Sequence, residues 1–256
     1  MSKLKALNIS KFYGENEIIK DVSLDVNEGE IVSLLGVSGV GKTTLFNVIS
    51  GLSIPNLGKI LLDSEDITGK TGHISYMLQK DLLLPYKTIL DNVALPLIIK
   101  GKSKKSARAE ARENFRTFGI DGTQDKYPKQ LSGGMSQRAA LLRTYLFSRK
   151  VALLDEPFSA LDAITKRSMH SWYLDIMEKI KLSTLFITHD IDEAIVLSDR
   201  IYIMTGKPGR ITEELKIDYE KPRGEKFMVS KEFIGYKSLI LDILDMVSYS
   251  QAPIQS

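Results

Sequence analysis

Short apolar runs separated by helical spacings are the most regular signal in this chain. Val22, Leu24 and Val26 alternate with polar residues and predict a strand with one buried face; Leu4–Ile9 predicts its antiparallel partner, with a turn at Tyr13–Glu17. Ile31–Leu35 predicts a fully buried strand. Further strands are expected at Lys59–Leu62, His73–Leu78, Val151–Leu154, Thr184–Thr188 and Ile201–Met204. Helical spacing appears between them. Thr44–Gly51 carries Leu45, Val48 and Ile49, and Ala163–Ile180 carries Met169, Trp172, Tyr173, Ile176 and Ile180. Strands alternating with helices predict an α/β fold around a mostly parallel sheet covered on both faces, with an antiparallel β portion at the N-terminus.

The alternation lapses between Pro85 and Arg149, where helices are expected over Lys87–Ile99, Ser103–Phe118 and Met135–Phe147. The chain therefore divides into a core domain over 1–219, interrupted by a helical insertion at about 85–149, and a C-terminal helical extension over 220–256. Lys226–Ser248 is helical in pattern and carries no recognisable chemistry. Phe12 is expected to face the core.

Composition narrows the function classes. Hydrophobic residues make up 43% and charged residues 26%, the balance of a globular protein. With no cysteine there is no disulfide framework, thiolate metal site or cysteine nucleophile. The start of the chain lacks the apolar centre of a signal peptide, and no run approaches the roughly 20 apolar residues that cross a bilayer. A net charge of +3 does not point to nucleic acid, and the basic run Lys100–Arg112 reads as a solvated helix face.

Gly36–Thr43, GVSGVGKT, fits the phosphate-binding loop pattern and lies between a predicted strand and a predicted helix, the context that pattern needs. Gly36, Gly39 and Gly41 let the backbone curl so that N–H groups, with those of Ser38 and Thr44, face phosphates; the helix dipole adds to the attraction. Lys42 is placed to reach the β- and γ-phosphates, and the Thr43 hydroxyl to ligate Mg²⁺. A P-loop alone leaves kinases, GTPases and motor ATPases open. The absence of an NKxD run weighs against a guanine-specific site.

Two further segments add chemistry. VALLDEP ends a predicted strand with Asp155 and Glu156, at the strand end where open α/β sheets bind ligands. Asp155 is the candidate Mg²⁺ holder and Glu156 the candidate base for an attacking water. Gln79 ends another strand and can present its amide to Mg²⁺ or to that water. His189 follows a third and can contact a γ-phosphate. Leu131–Gly134, LSGG, opens a helix with a serine cap and two glycines.

Taken in order, GVSGVGKT, Gln79, LSGGM at Leu131–Met135, LLDEP at Leu153–Pro157, SALD at Ser159–Asp162 and His189 resemble the ATP-binding subunit of ABC transporters, over roughly Leu4 to Ile217. The resemblance implies a P-loop ATPase core using ATP and Mg²⁺, and two copies closing head to tail over two ATP molecules. Ser132, Gly133 and Gly134 would then contact the γ-phosphate held by the second copy, Ser159–Asp162 would cross the dimer interface, and Tyr13 would stack on adenine. It also implies integral membrane permease subunits, a separate substrate-binding protein, and a peripheral position on the cytoplasmic face of the membrane. Leu82, Leu83, Leu84, Pro85 and Tyr86, apolar for a loop, are the expected permease contact.

Flanking runs are similar to the importer branch serving nitrate, sulfonates, taurine and hydroxymethylpyrimidine-type thiamine precursors: LLLPYKTILDNV at Leu82–Val93, LSGGMSQR at Leu131–Arg138, LLDEPFSALDAIT at Leu153–Thr165, THDIDEAI at Thr188–Ile195, GKPGRI at Gly206–Ile211 and EKPR at Glu220–Arg223. Met135 stands where the family more often has glutamine, and reads as a label of that branch. The alternatives are a non-transport ABC ATPase that regulates a membrane partner, and an inactive scaffold-like member; the presence of every catalytic position argues against the second.

Overall fold

The structure, a computed structural model, describes residues 2–221 and 223–250. Pro222 in the EKPR run and residues 251–256 of the expected extension lie outside them. The chain begins with the hairpin β1 (Ser2–Tyr13) and β2 (Asn16–Asn27), followed by β3 (Ile31–Leu35), α1 (Lys42–Ile49), β4 (Leu57–Leu62), β5 (Glu65–Asp66) and β6 (Ser75–Met77). Three helices follow: α2 (Ile89–Ile99), α3 (Lys104–Glu113) and α4 (Gly133–Phe147). The chain then runs through β7 (Val151–Asp155), α5 (Ala163–Ile180), β8 (Ser183–Thr188), α6 (Ile191–Leu197), β9 (Arg200–Thr205) and β10 (Arg210–Lys216), and ends in α7 (Glu225–Met228) and α8 (Lys231–Ser250).

These strands build two sheets, ordered β2-β1-β4-β5 and β10-β9-β3-β8-β7-β6. The first is antiparallel, and its register sets Leu4, Ala6 and Ile9 opposite Val26, Leu24 and Val22, so the alternating apolar residues share one face. In the second, β9, β3, β8, β7 and β6 run parallel, and β10 pairs antiparallel on the edge. Every residue of β3, β7 and β8 is buried, as strands covered on both faces require. One apolar cluster fills the space between the sheets around α1. Another packs the opposite face of the parallel sheet against α4, α5 and α6, and continues into α2 and α3.

Parallel strands place their C-terminal ends on one edge. Gly36 follows β3, Gln79 follows β6, Asp155 ends β7 and His189 follows β8, so topology alone brings four sequence-distant segments to one line.

The structure departs from expectation at several elements. Phe12 is only half-buried and lies outside both apolar clusters; register shifts between Ile9 and Phe12 break the alternation that would have turned it inward. The helix expected over Ser103–Phe118 stops at Glu113. Asn114 Nδ2 donates to the Glu110 carbonyl at 2.8 Å, and Phe115 and Phe118 are then buried from turns. Helix α1 begins at Lys42, earlier than its apolar spacing indicated, because the glycine before it carries no hydrophobic signal; α4 begins at Gly133 behind the Ser132 cap, as the LSGG run indicated, although its apolar spacing starts only at Met135. The tail forms two helices, and α6 and β10 had no predicted counterpart.

Arg223 holds the tail in place. Its side chain is buried and donates from Nη1 to the Ile195 carbonyl at 2.9 Å, from Nη2 to those of Ile217 at 2.9 Å and Tyr219 at 3.1 Å, and also to Ser198. Tyr219, Phe227 and Phe233 stack beside it. Arg223→Met keeps the apolar stem but leaves these carbonyls without a donor. It should lower the unfolding free energy by about 2 kcal/mol in a urea titration, with faster amide exchange in α7 and α8.

Candidate functional site

The loop between β3 and α1 is wrapped by close backbone contacts. A Cβ on Gly36 would lie 2.4 Å from the Met204 carbonyl, and one on Gly41 would lie 2.6 Å from Ile19 Cγ2. Gly39 and Gly41 have φ of 79° and 110°, a region that side chains disfavour. Gly41 is the residue before α1, so the first N–H groups of that helix open into the loop, where an anion would satisfy them. Lys42 Nζ donates to the Gly36 and Val37 carbonyls at 2.7 and 3.0 Å. Burial holds its pKa below the usual lysine value, against the opposing pull of Glu156 and Asp155. Ser38 and Thr43 are exposed, and Thr44 is half-buried.

Beside the loop, Thr43 Oγ1 donates to Asp155 Oδ2 at 3.4 Å, and the Tyr76 hydroxyl donates to the same oxygen at 3.3 Å. Asp155 is 8% exposed, and that burial raises its pKa despite these two hydrogen bonds and Lys42. Glu156 is anchored through its own N–H to the Ile187 carbonyl at 3.0 Å, with φ of 45°, an uncommon backbone state outside glycine. Both its carboxylate oxygens are engaged. His189 Nδ1 lies 2.9 Å from Oε1, and Gln79 Nε2 donates to Oε2 at 3.1 Å. Gln79 Nε2 also reaches Ser159 Oγ at 3.3 Å, and Ser159 Oγ donates to the Glu156 carbonyl at 2.9 Å.

The expected residues thus fall into two groups. Gly36, Ser38, Gly39, Gly41, Lys42, Thr43, Thr44, Gln79, Asp155, Glu156 and His189 meet at one sheet edge. Its glycine-lined turn, lysine, hydroxyl and carboxylate form a set of donors and oxygens that fits a phosphate chain with a hard cation. Ser132, Gly133 and Gly134 lie elsewhere. Ser132 and Gly133 are exposed at the start of α4, and no hydrogen bond joins them to the loop among the described residues. Met135 N–H donates to Ser132 Oγ at 3.4 Å, a helix cap that any residue at 135 would supply. Tyr13 is 51% exposed, its ring under the Lys11 ammonium at 5.2 Å, and contributes nothing to the core. Asp162 caps α5 by accepting from the Ile164 and Thr165 N–H groups.

Tyr76 was not foreseen as a site residue. Its only sequence signal is its place in a strand ending at this edge, three residues before Gln79. Asn92 was also unforeseen: it is fully buried, accepts from the Leu84 N–H at 2.6 Å, and donates to the carbonyls of Leu84, Lys87 and Thr88. With Arg143, which donates to the Asp81 and Leu82 carbonyls, it fixes the loop after Gln79.

That loop splits the apolar group in two. Leu83 packs into the core, whereas Leu82 and Tyr86 are 51% and 73% exposed. Leu82 lines a cavity of about 460 Å³ with Leu52, Ile74, Tyr76, Leu95 and Ile99. A larger cavity, about 680 Å³, lies between α5, α6 and the start of α7, and none of the residues at the sheet edge lines it.

Known proteins share this pattern. The ABC transporter family profile matches residues 19–159. A formylaminopyrimidine import ATP-binding protein of Halalkalibacterium halodurans is 49% identical over 77% of this chain and 77% of its own length. A nitrate import ATP-binding protein of Synechocystis sp. is 36% identical over 88% of this chain and 87% of its own. Among solved structures, a dimeric ATP-binding cassette in a post-hydrolysis state with ADP and phosphate superposes with a TM-score of 0.70 at 31% identity, covering 85% of this chain and all of that one.

The raised pKa of Asp155 has a consequence for stability. A carboxyl that holds its proton more tightly when folded adds stability at acid pH and loses it as pH rises through the raised value. At neutral pH the ionised side chain therefore works against the fold. Asp155→Asn should raise the melting temperature of the nucleotide-free protein at pH 7.5, with the gain shrinking as pH falls into the carboxylate range. Thermal unfolding by circular dichroism across that range checks this; no gain at pH 7.5 would contradict it.

Proposed function

The chain belongs to the ABC transporter family, whose ATP-binding members are ATPases, and on that premise we propose that it is the ATP-hydrolysing subunit of an importer for a small polar or anionic solute. The observation that carries this reading is the meeting of Lys42, Thr43, Gln79, Asp155, Glu156 and His189 at one sheet edge while Ser132 and Gly133 stay exposed away from it. A site that lacks part of its signature within one chain is completed by a second copy.

In this reading the backbone N–H groups from Gly36 to Thr44 and the Lys42 ammonium hold the β- and γ-phosphates of ATP. Lys42 must leave the carbonyls it now occupies, and its burial makes an anion a favourable replacement. Thr43 and Asp155 would hold Mg²⁺, with Gln79 contributing its amide, and the ion would neutralise phosphate charge. Glu156 takes the proton of the attacking water, and His189, now 2.9 Å from it, orients that carboxylate and reaches the γ-phosphate. Tyr13 stacks on adenine. Ser132, Gly133 and Gly134 meet the partner copy's nucleotide, and Ser159–Asp162 crosses between copies.

The exposed groove beside Leu82 is the seat for integral membrane permease subunits. It is apolar, and Asn92 and Arg143 fix the loop that carries Leu82. A separate substrate-binding protein completes the complex. No helix among the described residues is long and apolar enough to cross a membrane, so attachment at the cytoplasmic face is peripheral, through the permease. We take the core domain as 1–219, with its helical insertion at about 85–149, and the extension as 220–256. The relatives named for formylaminopyrimidine and nitrate import support a small polar or anionic solute of the nitrate, sulfonate, taurine or thiamine-precursor type.

Reconstitution with the permease and binding protein in liposomes tests the reading. ATP-dependent solute accumulation is the expected result; ATP turnover without accumulation would favour a regulatory ATPase instead. At the chemical step, Glu156→Gln should abolish phosphate release, leave ATP binding intact and shift the protein to a stable dimer on size exclusion with ATP. Turnover near the wild-type rate would remove Glu156 from the role of base.

A further inference from the structure

Tyr76 reaches the candidate site at the sheet edge and is among the residues that line the groove. It stands on β6, whose neighbour in the sheet is β7, with Tyr76 paired to Leu153 and Met77 to Leu154. Its ring packs edge-on against Phe46 of α1, with centroids 5.8 Å apart, so it is wedged against the helix that opens at the phosphate loop. Its hydroxyl lies 3.3 Å from Asp155 Oδ2, the same oxygen that Thr43 reaches. Tyr76 is also among the residues that line the groove, along with Leu82 and Ile99. A carboxylate at the end of a buried strand can turn about its own side-chain bonds, and a donor fixed on the adjacent strand limits that turning.

We infer that Tyr76 is a positioning residue: its hydroxyl orients Asp155 for the cation, and its ring carries to that carboxylate any displacement made by whatever fills the groove. The second half rests on the reading of the groove as the permease seat; the first does not. The geometry favours this route because nothing flexible intervenes. One residue of the groove lining carries both the ring packed against Phe46 and the hydroxyl that ends at the carboxylate. A ligand that pushes on the ring moves the donor directly. The longer path, through the loop from Leu82 back to Gln79, crosses backbone whose carbonyls at Asp81 and Leu82 are tied to Arg143.

Tyr76→Phe keeps the ring, its contact with Phe46 and the groove wall, and removes only the hydroxyl. The test uses Mn²⁺ as the probe. Binding of Mn²⁺ to the ATP-loaded full chain, followed by electron paramagnetic resonance, should weaken about tenfold in the variant, while ATP affinity in EDTA should stay within twofold of wild type. An unchanged Mn²⁺ affinity would overturn the positioning role. In the complex with the permease, the stimulation of ATPase activity by the permease, measured at saturating Mg²⁺, should fall at least threefold in Tyr76→Phe. Full stimulation alongside weakened Mn²⁺ binding would overturn the coupling and leave the positioning role standing. Ile99→Asp separates the underlying reading from both. If this change on the far groove wall leaves co-purification with the permease intact, the groove is not the seat, whatever Mn²⁺ binding shows.

Discussion

The backbone of the phosphate loop lies closer to its neighbours than any side chain would permit, and much of the molecule is arranged around that fact. Gly36 faces the Met204 carbonyl on β9, Gly41 faces Ile19 on β2, and Gly209, in the turn after β9, would with a Cβ stand 2.0 Å from the Val40 carbonyl. The turn is in turn tied to β2, since Lys20 N–H donates to the Gly209 carbonyl at 3.0 Å and Gly209 N–H to that of Ile18 at 2.9 Å. The antiparallel sheet, the parallel sheet and the start of α1 therefore meet at one seam of glycines. A shift of either sheet would be felt in the loop, because close-packed interiors do not absorb displacement gradually. Gly209 belongs to the GKPGRI run, which the sequence offered only as a likeness between relatives; the seam gives it a physical reason.

The candidate site at the sheet edge is assembled by topology and then set by a few polar contacts. Four strands ending together supply position. Orientation comes from hydrogen bonds that cross between strands: Tyr76 to Asp155, Gln79 and His189 to Glu156, and the Glu156 backbone to Ile187. Burial of Asp155 raises its proton affinity and burial of Lys42 lowers its own, so both groups are poised to gain from opposite charges brought by a ligand.

Much of this was legible beforehand where sequence pattern and local physics coincide. Ile31–Leu35 and Ala163–Ile180 have the predicted bounds, since a continuous apolar run and a 3.6-residue period each have one solution there. The phosphate motif carried its own context, and the acidic pair announced itself at the end of an apolar run. What could not be read depended on partners far along the chain. Tyr76 gained a role only when β6 came to lie beside β7. Phe12 turned away from the core because of bulges that alternation does not reveal. Strand β10 was hidden because its residues are mostly exposed, with no apolar face to signal it. Asn92 looked like an ordinary helix residue, although its side chain organises the loop that precedes it.

The two hydrogen bonds on Glu156 bear on aim. Each oxygen keeps a second lone pair for a proton, so these contacts do not block the carboxylate; they fix the direction it faces, and His189 and Gln79 follow different strands of the sheet. On the proposed assignment, holding a nucleotide and aiming the base at water are therefore separate requirements, met by different segments. Such an arrangement works like a sight on an instrument: a small relative shift of two strands re-aims the carboxylate without moving the loop that holds the phosphates.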